Sequence, residues 1–157
     1  MKYSPYIIIA VFLICGVSIS ICKPSFFSEN VFLDQFVNHE FINLMAVVVT
    51  VSLVSVVQLH MEYTRIERKF KQRAFSKSRR TVNTNGVILI ALFVFSFVIS
   101  FIKGMPEVEE SLEIQSIVHV AALAAILECV WIMYELIRTA YTIARTEPLD
   151  GAANAQP

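Results

Sequence analysis

Glu128 sits inside the apolar stretch from Ile114 to Ile137, and no other residue of the chain has a clearer potential for chemistry. A charge at the centre of a bilayer costs about 2.5–3.5 kcal/mol on insertion scales, so such side chains face a bundle interior or water rather than lipid tails. Trp131 and Tyr134 follow closely and mark a membrane boundary, which puts Glu128 in the inner leaflet rather than at the midplane. Helical spacing gathers Ala121, Ala125, Glu128, Ile132 and Glu135 on one face. Small residues there allow close approach of another helix, within one subunit or between copies. Two chemistries fit this carboxyl. It could carry protons or line a pore, or it could hydrogen-bond a neighbouring helix and fix packing, with Ser55 or Gln58 at similar depth as the partner.

A second set of polar side chains lies along another apolar run. Asn43, Thr50, Ser55, Gln58, Glu62 and Arg65 fall within about a third of a helical circumference. Such a stripe lines a water path, or it serves as interhelical glue at roughly 0.6 kcal/mol per contact. His60 lies at the inner boundary and His119 in the outer half of the last run; a histidine is the side chain that titrates near neutral pH. His60 is expected beside Glu62 or, across a bundle, beside Glu135. His119 and Glu128 are nine residues apart, a rotation of about 180° on a helix, so one continuous proton path along this face is not expected.

Other chemistries find no footing. Cys15, Cys22 and Cys129 are an odd number, and no C-x-x-C or His/Cys cluster accompanies them, so packing is expected rather than a disulfide, a metal or a cofactor. There is no nucleotide-binding glycine loop, no Ser/His pairing at shared depth and no proline inside an apolar run of the kind that breaks transporter helices. An enzyme is therefore not expected.

The elements that must position these residues are four apolar runs. A hydrophobic fraction of 56%, a mean hydropathy of +0.63 and only 17% charged residues exceed what a soluble domain of this size carries. The spacing predicts an all-α membrane protein, a four-transmembrane-helix bundle over residues 1–146 with spans at about 6–22, 41–60, 86–103 and 113–137. A signal-peptide reading of the first run is weaker, since its loss would leave an odd number of spans with the termini on opposite sides. Residues 147–157, rich in Ala, Asn, Gln and Pro, read as a disordered tail.

Charge gives the expected orientation. The connector 65–80 holds Arg65, Arg68, Lys69, Lys71, Arg73, Lys77, Arg79 and Arg80 against one acid, Glu67, whereas the other two connectors are acidic with one lysine each, Lys23 and Lys103. Basic loops stay in the cytosol, so this connector and both termini are placed there. The apolar pattern of the second run continues through Leu59, Tyr63, Ile66 and Phe70, and that of the fourth through Ile137 and Tyr141, so both helices are expected to extend into the cytosol and pack as a stalk. A break with an Asn or Thr cap is expected between Ser76 and Gly86. The aromatic first connector, with Phe26, Phe27, Phe32 and Phe36, reads as a short helix lying in the outer interface.

The stretch from Asn43 through His60, with its basic continuation, resembles segments of small uncharacterised bacterial four-span inner-membrane proteins. The resemblance implies a multi-pass protein of the cell inner membrane. Three functions are weighed on these residues. One is an oligomeric channel-like or sensor subunit whose polar faces meet in a homo-oligomer. The second is a membrane anchor or scaffold that recruits a soluble cytosolic protein partner through its basic stalk. The weakest is an intramembrane enzyme or transporter. The lipid bilayer is the one certain partner on this reading. The basic residues are expected to meet anionic headgroups or the protein partner, at about 1 kcal/mol per side chain near the surface. No nucleic acid is expected, because aromatic side chains do not interleave with the charges.

Overall fold

A computed structural model describes residues 4–70 and 76–146 of the chain. The middle of the basic connector, with Lys71 and Arg73, and the expected disordered tail 147–157 lie outside the described residues. Helix dominates, and no strand occurs among the described residues. The elements run α1 (Ser4–Cys22), α2 (Ser25–Ser28), α3 (Val31–Gln35), α4 (Phe41–Phe70), α5 (Ser76–Lys103), α6 (Pro106–Glu110) and α7 (Leu112–Thr146). In lipid every backbone N–H and C=O must find its partner within the segment, which is why apolar runs of this length become helices.

Three helices are long and apolar enough to cross a membrane, within Val31–Arg68, Ser78–Lys103 and Leu112–Ile143. These are the features of a membrane protein. The apolar part of α1, Ile7–Cys22, is shorter and reaches roughly 24 Å against a hydrocarbon core of about 30 Å. The four-span expectation is thus met for three helices, with α1 the shortfall.

Helix α7 is the central rod. Its acidic end is clasped by α1 on one flank. Gly16 lies so close to α7 that a Cβ there would sit 2.7 Å from a methyl of Val120, and Ser116 Oγ donates to Ser20 Oγ at 2.8 Å with both residues fully buried. Gly16 and Ser20, four apart, form the small-x-x-x-small pattern that lets membrane helices touch. Toward its basic end α7 packs instead against the α4–α5 hairpin, where Cys129 Sγ meets Met45 Sδ at 4.0 Å and Ile132, Leu136 and Ile143 join one core with Leu59, Tyr63 and Ile66.

The first connector forms two short helices rather than one. Asn30 caps α3, its Oδ1 accepting from the Leu33 N–H at 3.2 Å. The chain then leaves helical geometry at Val37 (ψ 47°) and Asn38 (φ −131°, ψ −125°) before α4 begins. One face of this collar is buried through Leu33 and Val37, while Phe26, Val31 and Phe32 remain exposed.

The break expected between Ser76 and Gly86 does not occur; α5 runs unbroken from Ser76 to Lys103. Tertiary contacts override the local polar composition. Val82 is buried, Ser78 hydrogen-bonds Tyr63, Arg79 pairs with Glu67, and Gly86 admits Val56 of α4, whose methyl would lie 3.2 Å from a Cβ. The extension of α4 therefore packs against α5 as well as against the last helix, whose Ile143 joins the core of Tyr63 and Ile66.

Replacing Gly16 by Leu should push α1 off α7. In a cysteine-free background, cysteines at positions 20 and 116 should cross-link efficiently, and the Gly16→Leu change should abolish that cross-link while leaving one between positions 56 and 86 intact. Retention of the 20–116 cross-link would show that the close approach at Gly16 does not hold α1.

Candidate functional site

The expected polar stripe of α4 divides in the structure. Asn43, two residues into the helix, and Thr50 lie on its exposed outer side. Thr50 Oγ1 donates to the Ala46 carbonyl at 2.6 Å, so its hydroxyl is satisfied by its own helix and can face lipid. Ser52, Ser55, Gln58 and Glu62 lie on the other side and form one wall of a cleft of about 370 Å³ between α4 and α7. The facing wall is apolar, made by Met133, Leu136, Ile137 and Ala140.

Glu128 does not reach this cleft. It lies half-buried on another flank of α7 and has no hydrogen-bond or ion-pair partner among the described residues. Neither suggested partner meets it: Ser55 Oγ donates to its own Val51 carbonyl at 3.1 Å, and Gln58 borders the cleft. Glu135 is half-buried on α7 and is not among the cleft residues. His60 is exposed on α4 and forms no pair with Glu62 or Glu135 among the described residues. Glu62 lies instead 3.8 Å from Arg65, one turn along the exposed surface of the same helix.

The basic residues split as well. Arg65, Arg68 and Arg80 are exposed, and Lys69 rides on the last turn of α4. Arg79 is different. Its Nη2 meets Glu67 Oε2 at 2.6 Å and Thr64 Oγ1 at 3.4 Å, and it locks the start of α5 to α4. The one acid in a basic connector was the signal that could have identified this pair.

Sequence reasoning missed a polar clasp at the acidic end. Asp34 of α3 accepts from Lys103 Nζ at 3.0 Å and from Gln115 Nε2 at 3.3 Å, and the Asp34 carbonyl also accepts from Lys103. One residue thereby ties the collar to the end of α5 and the start of α7. His119 is fully buried, its Nδ1 held 2.9 Å from the Phe27 carbonyl of α2. A carbonyl only accepts, so Nδ1 carries the proton, and Nε2 is left buried without a partner. His119 is therefore a structural pin for the collar, on a face of α7 other than that of Glu128, as the helical rotation required. The lone lysine among acids, Lys103, was the available hint.

No group of His, Cys, Asp and Glu able to hold a metal ion occurs among the described residues. Cys129 is buried, and Cys15 and Cys22 are exposed on α1. No protein-family model matches the chain, and neither does any curated protein or solved structure. Function is therefore argued from geometry.

Replacing Arg79 with Met leaves Glu67, 16% exposed, without its cation. The expected cost is about 1–3 kcal/mol of stability, read as a lowered Tm in detergent, whereas Arg80→Ala, at an exposed position, should stay within about 0.5 kcal/mol. Equal effects of the two changes would remove the pin between α4 and α5.

Proposed function

We propose that this chain is a multi-pass inner-membrane protein that anchors a basic cytosolic stalk, and that the stalk docks a soluble protein partner in the manner of a sensor or scaffold subunit. The observation that carries this reading is reach. With 30 residues α4 extends about 45 Å, and with 35 residues α7 extends about 52 Å, against a hydrocarbon core of about 30 Å. The excess lies at the end where Arg65, Arg68 and Arg80 are exposed and unclaimed by the packing that holds Arg79. Three helices share a buried core there through Tyr63, Ile66, Val82 and Ile143, so the stalk is a rigid presenting surface rather than a loose loop. By the bias of basic loops toward the cytosol, this end faces inward. On the same reading α1 makes the fourth crossing with tilt, and both termini lie in the cytosol.

A second reading keeps the channel-like homo-oligomer. Glu128 supports it, because a half-buried carboxyl without a partner in one chain is accounted for if a second copy supplies one. The cleft supports it less, since it opens sideways between two helices and does not run the length of the bundle.

Reversing charge with Arg68→Glu and Arg80→Glu should release a soluble partner from the membrane fraction, cutting co-purification by roughly tenfold, while the protein itself stays membrane-bound. Undiminished co-purification would end the docking proposal. A cysteine introduced at Phe75 should resist a membrane-impermeant maleimide in intact cells and react after lysis; labelling from outside would invert the topology. For the second reading, Glu128→Gln should change ion or proton flux in liposomes without loss of assembly, and unchanged flux would dismiss a conducting role.

A further inference from the structure

The geometry points to the α4–α7 cleft as a binding site for a small, uncharged, lipid-soluble molecule that carries hydrogen-bond acceptors. This inference goes beyond the docking role of the stalk and does not require it. Its volume of about 370 Å³ falls in the range of about 300–1,000 Å³ typical of small-molecule sites, which in helix bundles lie between helices and combine an apolar lining with a few placed polar groups.

The two walls differ in chemistry, and that difference selects the ligand. The α7 wall, with Leu136, Ile137 and Ala140, offers only apolar surface. The α4 wall offers donors. Ser52 is 2% exposed and its hydroxyl has no hydrogen-bond partner. Other hydroxyls of α4, at Thr50, Ser55 and Thr64, each donate to the carbonyl four residues back, which is the usual resting place of a serine or threonine in a helix. Ser52 alone of these leaves its proton unspent in a low-dielectric setting, where an unmade hydrogen bond is expensive. It is one of the residues that line the cleft. Six residues on, Gln58 adds an amide that is not satisfied within the described residues. Ser55 has already given its proton to Val51.

Charge at the mouth argues for a neutral occupant. Glu62, the one charged residue of the lining, lies 3.8 Å from the Arg65 guanidinium one turn on, so its charge is partly offset. A plain lipid tail fits less well, because it offers nothing to the Ser52 hydroxyl. An alkylated ring bearing carbonyl oxygens, the chemistry of a quinone, satisfies both walls: the ring and chain lie on α7, one carbonyl accepts from Ser52 and another group meets Gln58. The site lies where the apolar part of α4 passes into the stalk, so an occupant would set the separation of α4 and α7 at the base of the stalk.

The test uses the full chain in nanodiscs and two probes, a 1,4-benzoquinone carrying a ten-carbon alkyl chain and an alkylbenzene of the same chain length without carbonyls. Retention by gel filtration at equilibrium is measured as the excess over empty nanodiscs. One quinone per chain should be retained saturably, with the alkylbenzene at least roughly tenfold weaker, and Ser52→Ala should weaken quinone binding by about five- to tenfold. Ala140→Phe, which fills the cleft, should abolish retention, as should Ile137→Trp at an exposed cleft position, while Val98→Phe on the exposed face of α5 should leave it unchanged. Two blocking variants guard against one that fails to fold. Non-saturable retention, equal retention of both probes, or indifference to both blocking changes would overturn the proposal. So would spontaneous cross-linking of an Ala140→Cys variant to a second copy, which would assign the cleft to a subunit interface.

Discussion

Close approach to α7 is the constraint on which the rest of the molecule depends. Lipid tails are as apolar as leucine, so membrane helices gain little from hiding apolar surface from one another and are held by van der Waals packing and a few interhelical hydrogen bonds. Both fall steeply with distance. Helix α7 can be approached from two flanks because it presents small side chains: Ser116 toward α1, and Ala122, Ala125 and Cys129 in the core shared with α4 and α5. Gly16 answers on α1, and Gly86 plays the same part between α5 and α4.

The polar side chains then sort by what each contact leaves over. Where helices touch, hydroxyls and charges are consumed: Ser20 with Ser116, Arg79 with Glu67, Lys103 and Gln115 with Asp34. Among the described residues Ser52 Oγ, bordering the cleft, is left without a partner, as are Ser100 Oγ of α5 and Nε2 of His119. The cleft, bordered by the unpaired Ser52 hydroxyl and by Glu62, lies between the same two helices, α4 and α7, that share a core through Leu59, Tyr63, Ile66 and Ile143.

Much of the fold was legible because lipid imposes a simple rule. Apolar runs long enough to cross become helices, and the amphipathic continuation through Leu59, Tyr63 and Ile66 announced that α4 runs on as one helix past its apolar part. The separation of His119 from Glu128 followed from helical rotation alone. The site was less legible. Asn43, Thr50, Ser55, Gln58 and Glu62 share a polar stripe in sequence, yet only the last three reach the cleft, because a stripe about a third of a turn wide can straddle the edge of a contact. The unbroken α5 was missed because Asn83 and Asn85 are poor helix formers whose local preference is overruled by Val82 and Gly86 packing on α4.

The sequence by itself determined that the chain is helical, that lipid is its solvent, and that its charge is segregated between connectors, because each follows from composition and period along a single segment. Tertiary structure alone decided which helix α4 leans on, that α1 and the hairpin clasp different lengths of α7, and that Ser52 faces a cleft while Glu128 does not. Those outcomes depend on the register between helices. Register is set by where two surfaces can come closest, at Gly16 and Gly86, and pairwise proximity is not written in any one segment's pattern.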